Sequence, residues 1–161
     1  MSPAVKGGLA IGILCTAWTY VMGFTGWYLD PALSAMFWVV VLLECGALVW
    51  GYRLIGGAGR RYGSLVTQGI LMALIGGVII FVGSLLFTSV VFPDYFAELQ
   101  TMHTEMLRAE GMSASQIEQI QSGTAFMQTP LANAVLGFLG TVVTGALASL
   151  VIAAVLRTKT P

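Results

Sequence analysis

Four long stretches of the chain are apolar almost without interruption. Gly7–Leu29, Tyr62–Pro93 and Gln119–Leu156 contain no Asp, Glu, Lys or Arg, and Pro31–Tyr52 contains only Glu44. About 20 mainly apolar residues suffice to cross ~30 Å of hydrocarbon. The pattern therefore predicts four membrane helices, at about 8–28, 32–52, 63–92 and 130–156. Asp30-Pro31 is a pair that a helix rarely continues through. The glycine-rich stretch Gly56-Gly57-Ala58-Gly59 separates the second span from the third, Pro93-Asp94 follows the third, and Pro130 suits the first turn of the fourth. The last two spans exceed what the bilayer needs, so they must tilt or project beyond it. The expected architecture is all-α: one membrane domain over residues 1–161, built as a four-helix bundle.

The segment between the third and fourth spans reads differently. Phe92, Tyr95 or Phe96, Leu99, Met102 and Met106 recur at helical spacing, with Asp94, Glu98 and Glu105 mostly off that stripe. Gly111 is a stop signal. Ser115-Gln116-Ile117-Glu118 matches a capping box at the start of a second helix. Two amphipathic helices are expected, at about 94–110 and 115–127. Their apolar faces must lie on the membrane surface, on the projecting ends of the long spans, or on a partner.

Composition agrees with the pattern. Of 161 residues, 57% are hydrophobic and 9% are charged, whereas a soluble domain carries about 25% charged residues. The formal net charge is zero, so no basic surface for nucleic acid is expected. Cys15 and Cys45 both fall inside spans, which excludes a secreted disulfide framework. Lys6 before an apolar stretch resembles a signal peptide, but Leu9–Leu29 is long for one and lacks a small-x-small cleavage site, so a retained first helix is expected. Lys6, Arg53, Arg60, Arg61, Arg157 and Lys159 would share one side of the membrane, with Arg108 alone among the basic residues on the other. That bias predicts cytoplasmic termini and an acidic outer side. Trp27, Tyr28, Phe92 and Tyr95 would mark the outer boundary, and Trp50, Tyr52 and Tyr62 the inner one. A faint likeness between Gly7-Gly8-Leu9 and Gly63-Ser64-Leu65 is within chance for a chain so rich in these residues.

From Gly51 onward the chain shows a recurring combination of features. Gly51-Tyr52-Arg53 leads into a basic loop with Arg60 and Arg61, and Phe92-Pro93-Asp94-Tyr95-Phe96 follows a glycine-rich span. A charged helix closes at Glu110-Gly111-Met112-Ser113, Ile117-Glu118 lies in the next, and Thr129-Pro130-Leu131 opens the last span. This combination resembles the domain of unknown function 4199 family of small four-span bacterial membrane proteins. The resemblance implies a cytoplasmic-membrane protein with an outer helical hairpin, and it brings no catalytic residues.

Among single residues Glu44 stands out, because a carboxylate near mid-bilayer costs on the order of 3 kcal/mol or more. If the first two spans turn tightly around Asp30, Thr16 lies level with Glu44 and Cys15 level with Cys45. Glu44 is then a protonated carboxyl hydrogen-bonded to Thr16 or to a backbone carbonyl, a carboxylate that faces a partner, or the coupling group of a small transporter. Thr16, Thr19, Thr144 and Ser149 are its possible polar company. The thiols lack the electropositive setting that creates a thiolate and are expected to pack as small hydrophobes. His103 lies between Met102 and Met106, a set that soft metals favour, yet both methionines sit on the apolar stripe where they ordinarily pack. No metal or cofactor is expected, and Gly56–Arg61 lacks the Gly-Lys-Ser/Thr ending of a phosphate loop.

Small residues form ladders four apart: Gly69, Ala73 and Gly77; Gly137, Thr141, Gly145, Ser149 and Ala153; and Gly8, Gly12 and Thr16. They allow helix backbones to approach closely where no hydrophobic effect separates helix from lipid. With no Ser–His–Asp set or paired carboxylates, an enzyme is not expected. Two functions remain open. One is an accessory or structural subunit whose hairpin face (Tyr95, Phe96, Leu99, Met102, Met106) and ladder faces bind another membrane protein or a second copy. The other is a small proton- or ion-coupled transporter, or a lipid- or ligand-binding membrane protein, that uses Glu44.

Overall fold

A computed structural model describes residues 1–56 and 60–156. Its first helix, α1 (Pro3–Thr25), starts where the Ser2 side chain accepts a hydrogen bond from the Val5 N–H, with Pro3 in the first turn. It ends at Gly26, whose φ of 71° is a left-handed conformation that a residue with a Cβ rarely adopts. The expected span at 8–28 is thus displaced toward the N-terminus, because hydropathy marks the apolar stretch whereas caps mark the ends. Short 3₁₀ segments at Trp27–Leu29 and Ser34–Trp38 carry the chain into α2 (Val39–Ile55). The next helix, α3 (Tyr62–Leu86), continues as a π-helical turn over Phe87–Val91.

Beyond Pro93 the chain forms α4 (Tyr95–Ala109) and α5 (Ala114–Thr124), then a 3₁₀ turn at Ala125–Met127 and the long α6 (Pro130–Leu156). Gly111 has φ 85° and closes α4. Only Met112 then precedes the next cap, so the capping box is Ser113–Gln116 and not Ser115–Glu118. The Ser113 hydroxyl accepts from the Gln116 N–H, and the Gln116 side chain accepts from the Ser113 N–H. The second helix of the hairpin consequently starts at 114, and its α-helical part stops at 124, short of the expected 127. Thr129 caps α6, its hydroxyl accepting from the Ala132 N–H.

Four helical stretches have the length and apolar composition of membrane spans: Pro3–Thr25, Ser34–Ile55, Tyr62–Val91 and Pro130–Leu156. The protein is an all-α, multi-pass membrane protein. Its spans are arranged around α3, which packs against α1 on one side and α6 on the other. By comparison α2 rests mainly on α1 and meets α3 and α6 only lightly.

The α1–α3 pair is parallel: Gly8 faces Ile75, Gly12 faces Ile79, and Gly83 faces Thr16. The Met72 sulfur is wedged between Gly7 and Gly51, and an added Cβ at either would lie 2.6 Å from it. Ile11, Leu48, Tyr52, Leu65 and Met72 form the fully buried centre. Lys6 and Arg53 sit near one end of the bundle, with Arg60 and Arg61 just before α3, while α4 and α5 stand at the other end. Gly57, Ala58, Gly59, Arg157 and Lys159 lie outside the described residues.

Candidate functional site

Glu44 lies in the middle of the second span and is only 4% exposed. Its Oε2 hydrogen-bonds the Thr144 hydroxyl of α6 at 2.6 Å. The same hydroxyl lies 2.8 Å from the Gly140 carbonyl and 3.3 Å from that of Thr141. Oε1 is buried with no hydrogen-bond partner. It is pressed against α6 at Gly145, where an added Cβ would come within 2.7 Å of the oxygen and 2.5 Å of the Ala73 methyl. Gly145 therefore serves two neighbours, letting α3 close on α6 and leaving room for a carboxyl group from α2.

Thr16 does not pair with Glu44. It packs against Gly83 of α3, and its Oγ1 has no partner. Nor does Cys15 face Cys45: the Cys15 thiol points at the Val40 carbonyl, 3.5 Å away. Matching depths around Asp30 assumed equal rise on both sides of a tight turn. In the structure α1 stops at Thr25 and the second span begins with five 3₁₀ residues, which advance about 2.0 Å each against 1.5 Å in an α-helix. That shifts the register in the observed direction by about 2.5 Å, under two helical residues and so part of the offset that puts Val40 against Cys15. Both cysteines are free.

The ladders meet each other. Gly69 lies under the Ser149 and Tyr52 hydroxyls, Ala73 against Gly145, and Gly77 under the Phe138 ring. Tyr52 is fully buried and donates to the Leu65 carbonyl at 3.0 Å. Ser149 Oγ is buried without a partner, while the buried Thr141 turns its hydroxyl back to the Gly137 carbonyl at 3.0 Å. Gly137 departs from the close-packed pattern expected of the ladder: a Cβ there would meet nothing nearer than Ile80 at 3.4 Å.

At the far end the hairpin is joined to the bundle by aromatic side chains. The Tyr95 ring packs 5.0 Å from Tyr28 and 5.3 Å from Phe87, centroid to centroid. The Tyr28 hydroxyl donates to the Glu98 carboxylate. Burial, and then Glu98 itself, pushes the Tyr28 phenol well above the ordinary range, and burial pushes Tyr95 up as well. Of the expected contact face, Tyr95, Phe96, Leu99 and Met102 are half-buried against the chain itself, and Met106 is exposed. Between α4 and α5 lies a groove of about 360 Å³, lined by Gln100, Thr104, Glu105, Arg108, Glu118 and Gln121 among others. Gln121 donates across it to the Thr104 hydroxyl at 2.6 Å. His103 is exposed, and among the described residues no three His, Cys, Asp or Glu side chains come together as metal ligands.

Of the four polar residues that the sequence offered as company for Glu44, the structure selects Thr144 and not the level neighbour Thr16. A signal was present, since Glu44 and Thr144 stand near the middle of their spans and Thr144 adjoins a ladder glycine. The polar groove left no sequence signal, because its residues come from two helices whose relative rotation is set by the Gly111–Ser113 turn.

The match to known families covers nearly the whole chain, running over residues 6–158. The chain belongs to the family described as Protein of unknown function (DUF4199). The matched region takes in the first two spans, and so Glu44 as well as Thr144. No curated protein and no solved structure matches the chain.

Proposed function

We propose that this protein is a non-enzymatic accessory subunit of the bacterial cytoplasmic membrane, with both termini inside. Its outer α4–α5 hairpin holds the polar extramembrane segment of another membrane protein. The observation that carries this reading is the polar groove of about 360 Å³ between α4 and α5, on a hairpin that Tyr28 and Tyr95 hold to the bundle. A preorganised surface binds with less ordering cost than a mobile loop. Glu105 and Glu118 in the groove, with Glu98 nearby, favour a basic segment, and Arg108 offers one cation for a carboxylate in the same partner. The orientation rests on Lys6, Arg53, Arg60 and Arg61 at the opposite end from the acidic hairpin.

The spans support the same reading. The closest small-residue contacts are spent on α3–α6 and α1–α3 packing within the chain, so partner recognition falls to the hairpin. The test is native purification from the membrane of the source cell through a C-terminal tag, followed by mass spectrometry of the intact complex. A stoichiometric second polypeptide is expected, and the Glu105→Lys, Glu118→Lys double variant should lose it while inserting normally. A chain recovered alone or only as a homo-oligomer overturns the proposal. So does a partner retained undiminished by the double variant.

A further inference from the structure

The hydrogen-bond geometry around Glu44 places more oxygens than hydrogens. Thr144 has one hydroxyl hydrogen, yet its Oγ1 stands 2.8 Å from the Gly140 carbonyl and 2.6 Å from Glu44 Oε2. A carbonyl oxygen can only accept, and that of Gly140 already accepts the Thr144 N–H within α6. The hydroxyl hydrogen is therefore free for Glu44, and Thr144 is the one donor to a carboxyl group that is only 4% exposed. The remaining oxygen, Oε1, has no donor, which an oxygen of a neutral carboxyl group tolerates far better than half of a buried carboxylate.

Every neighbouring element agrees. The titratable groups on which the charge of Glu44 acts are Cys15 from α1 and Cys45 from its own helix. The α3 face presents the Ala73 methyl, and α6 presents Thr144 and Gly145. None of these is a cation. The basic residues Lys6 and Arg53 belong to the end of the bundle.

We infer that Glu44 is a proton-binding site inside the membrane, neutral in the closed bundle and tied to α6 by the Thr144 hydroxyl, which donates to Oε2. When the proton leaves to water, a negative charge served by one hydroxyl donor and no neighbouring cation remains between two helices that otherwise touch lightly. The span released is α2, which packs mainly on α1. The site is thus a proton-operated contact between one span and the rest of the bundle, separate from the hairpin groove.

Infrared spectroscopy of the full chain in lipid tests the inference. At neutral pH the wild-type protein should show a carboxylic-acid carbonyl band that vanishes in Glu44→Gln, whose amide oxygen can still accept from Thr144 and hold the fold. In Thr144→Val the band should persist at higher frequency, because the acid has lost its hydrogen-bond partner. Absence of a band assignable to Glu44, or a band unmoved by Thr144→Val, overturns the assignment. Amide hydrogen exchange of α2 should rise with pH in the wild type and stay flat in Glu44→Gln relative to it. Equal pH responses overturn the release of α2.

Discussion

Helix α6 is met in two different ways by its neighbours. Against α3 it makes a seam of small residues, Ser149 over Gly69, Gly145 against Ala73, with Phe138 covering Gly77. The seam is closed by backbone proximity, and its polar groups contribute little: Ser149 Oγ has no partner and Thr141 bonds only its own helix. Against α2 the contact is light, and at its centre is one inter-helix hydrogen bond, Thr144 to Glu44. In lipid the first kind of interface draws on van der Waals packing, which grows with area, and the second on a single directional bond. A packed seam resists change at any pH. A light contact centred on one buried titratable carboxyl does not.

The largest effect is expected from breaking the seam. Gly69→Val would drive a Cβ to within 2.0 Å of Ser149 Oγ and 2.1 Å of the Tyr52 hydroxyl. Since overpacking a close-packed site costs about 1–3 kcal/mol, this variant should lose about 3 kcal/mol, the top of that range, read as a lowered midpoint of thermal unfolding in micelles. Thr144→Val keeps the shape and removes the bond to Glu44. Inter-helix hydrogen bonds in membranes average about 0.6 kcal/mol, with ~1.7 at most, so a loss of about 1 kcal/mol is expected. Hydrogen exchange should rise in α2 and leave α3 unchanged; equal rises in both would erase the distinction between the two interfaces. Gly137→Ala is the smallest change. The added methyl meets only Ile80 at 3.4 Å, so stability should stay within ~0.5 kcal/mol of wild type, sharpening the line between ladder positions that pack and one that merely continues the spacing.

Different parts of the molecule were legible to different degrees. The amphipathic pattern of 94–127 announced a helical hairpin, yet its cap was displaced by two residues because Gly111 turns the chain early and Ser113, not Ser115, meets the free N–H groups. The ladder on α3 was visible as spacing. That Gly69 and Ala73 face Ser149 and Gly145, while Gly76 and Gly83 face α1, depends on how α3 is rotated between two partners, and a glycine-rich helix offers small residues on several sides. Glu44 was visible by its charge alone. Its partner was sought first in Thr16 on the adjacent span and lies instead on α6, one hundred residues away.

By itself the sequence determined that the chain is a multi-pass membrane protein, how many spans it has, and where polar surface gathers. Those properties follow from transfer of about 20 consecutive residues into hydrocarbon, a local sum that does not depend on which helices later meet. Only the tertiary structure decided that α3 is central, that Thr16 and Cys15 fall out of register with Glu44 and Cys45, and that Gly145 leaves space for a carboxyl group from α2. Helix rotation and relative depth are set jointly by caps, 3₁₀ segments and contacts between distant residues, and in lipid no hydrophobic face exists to announce them.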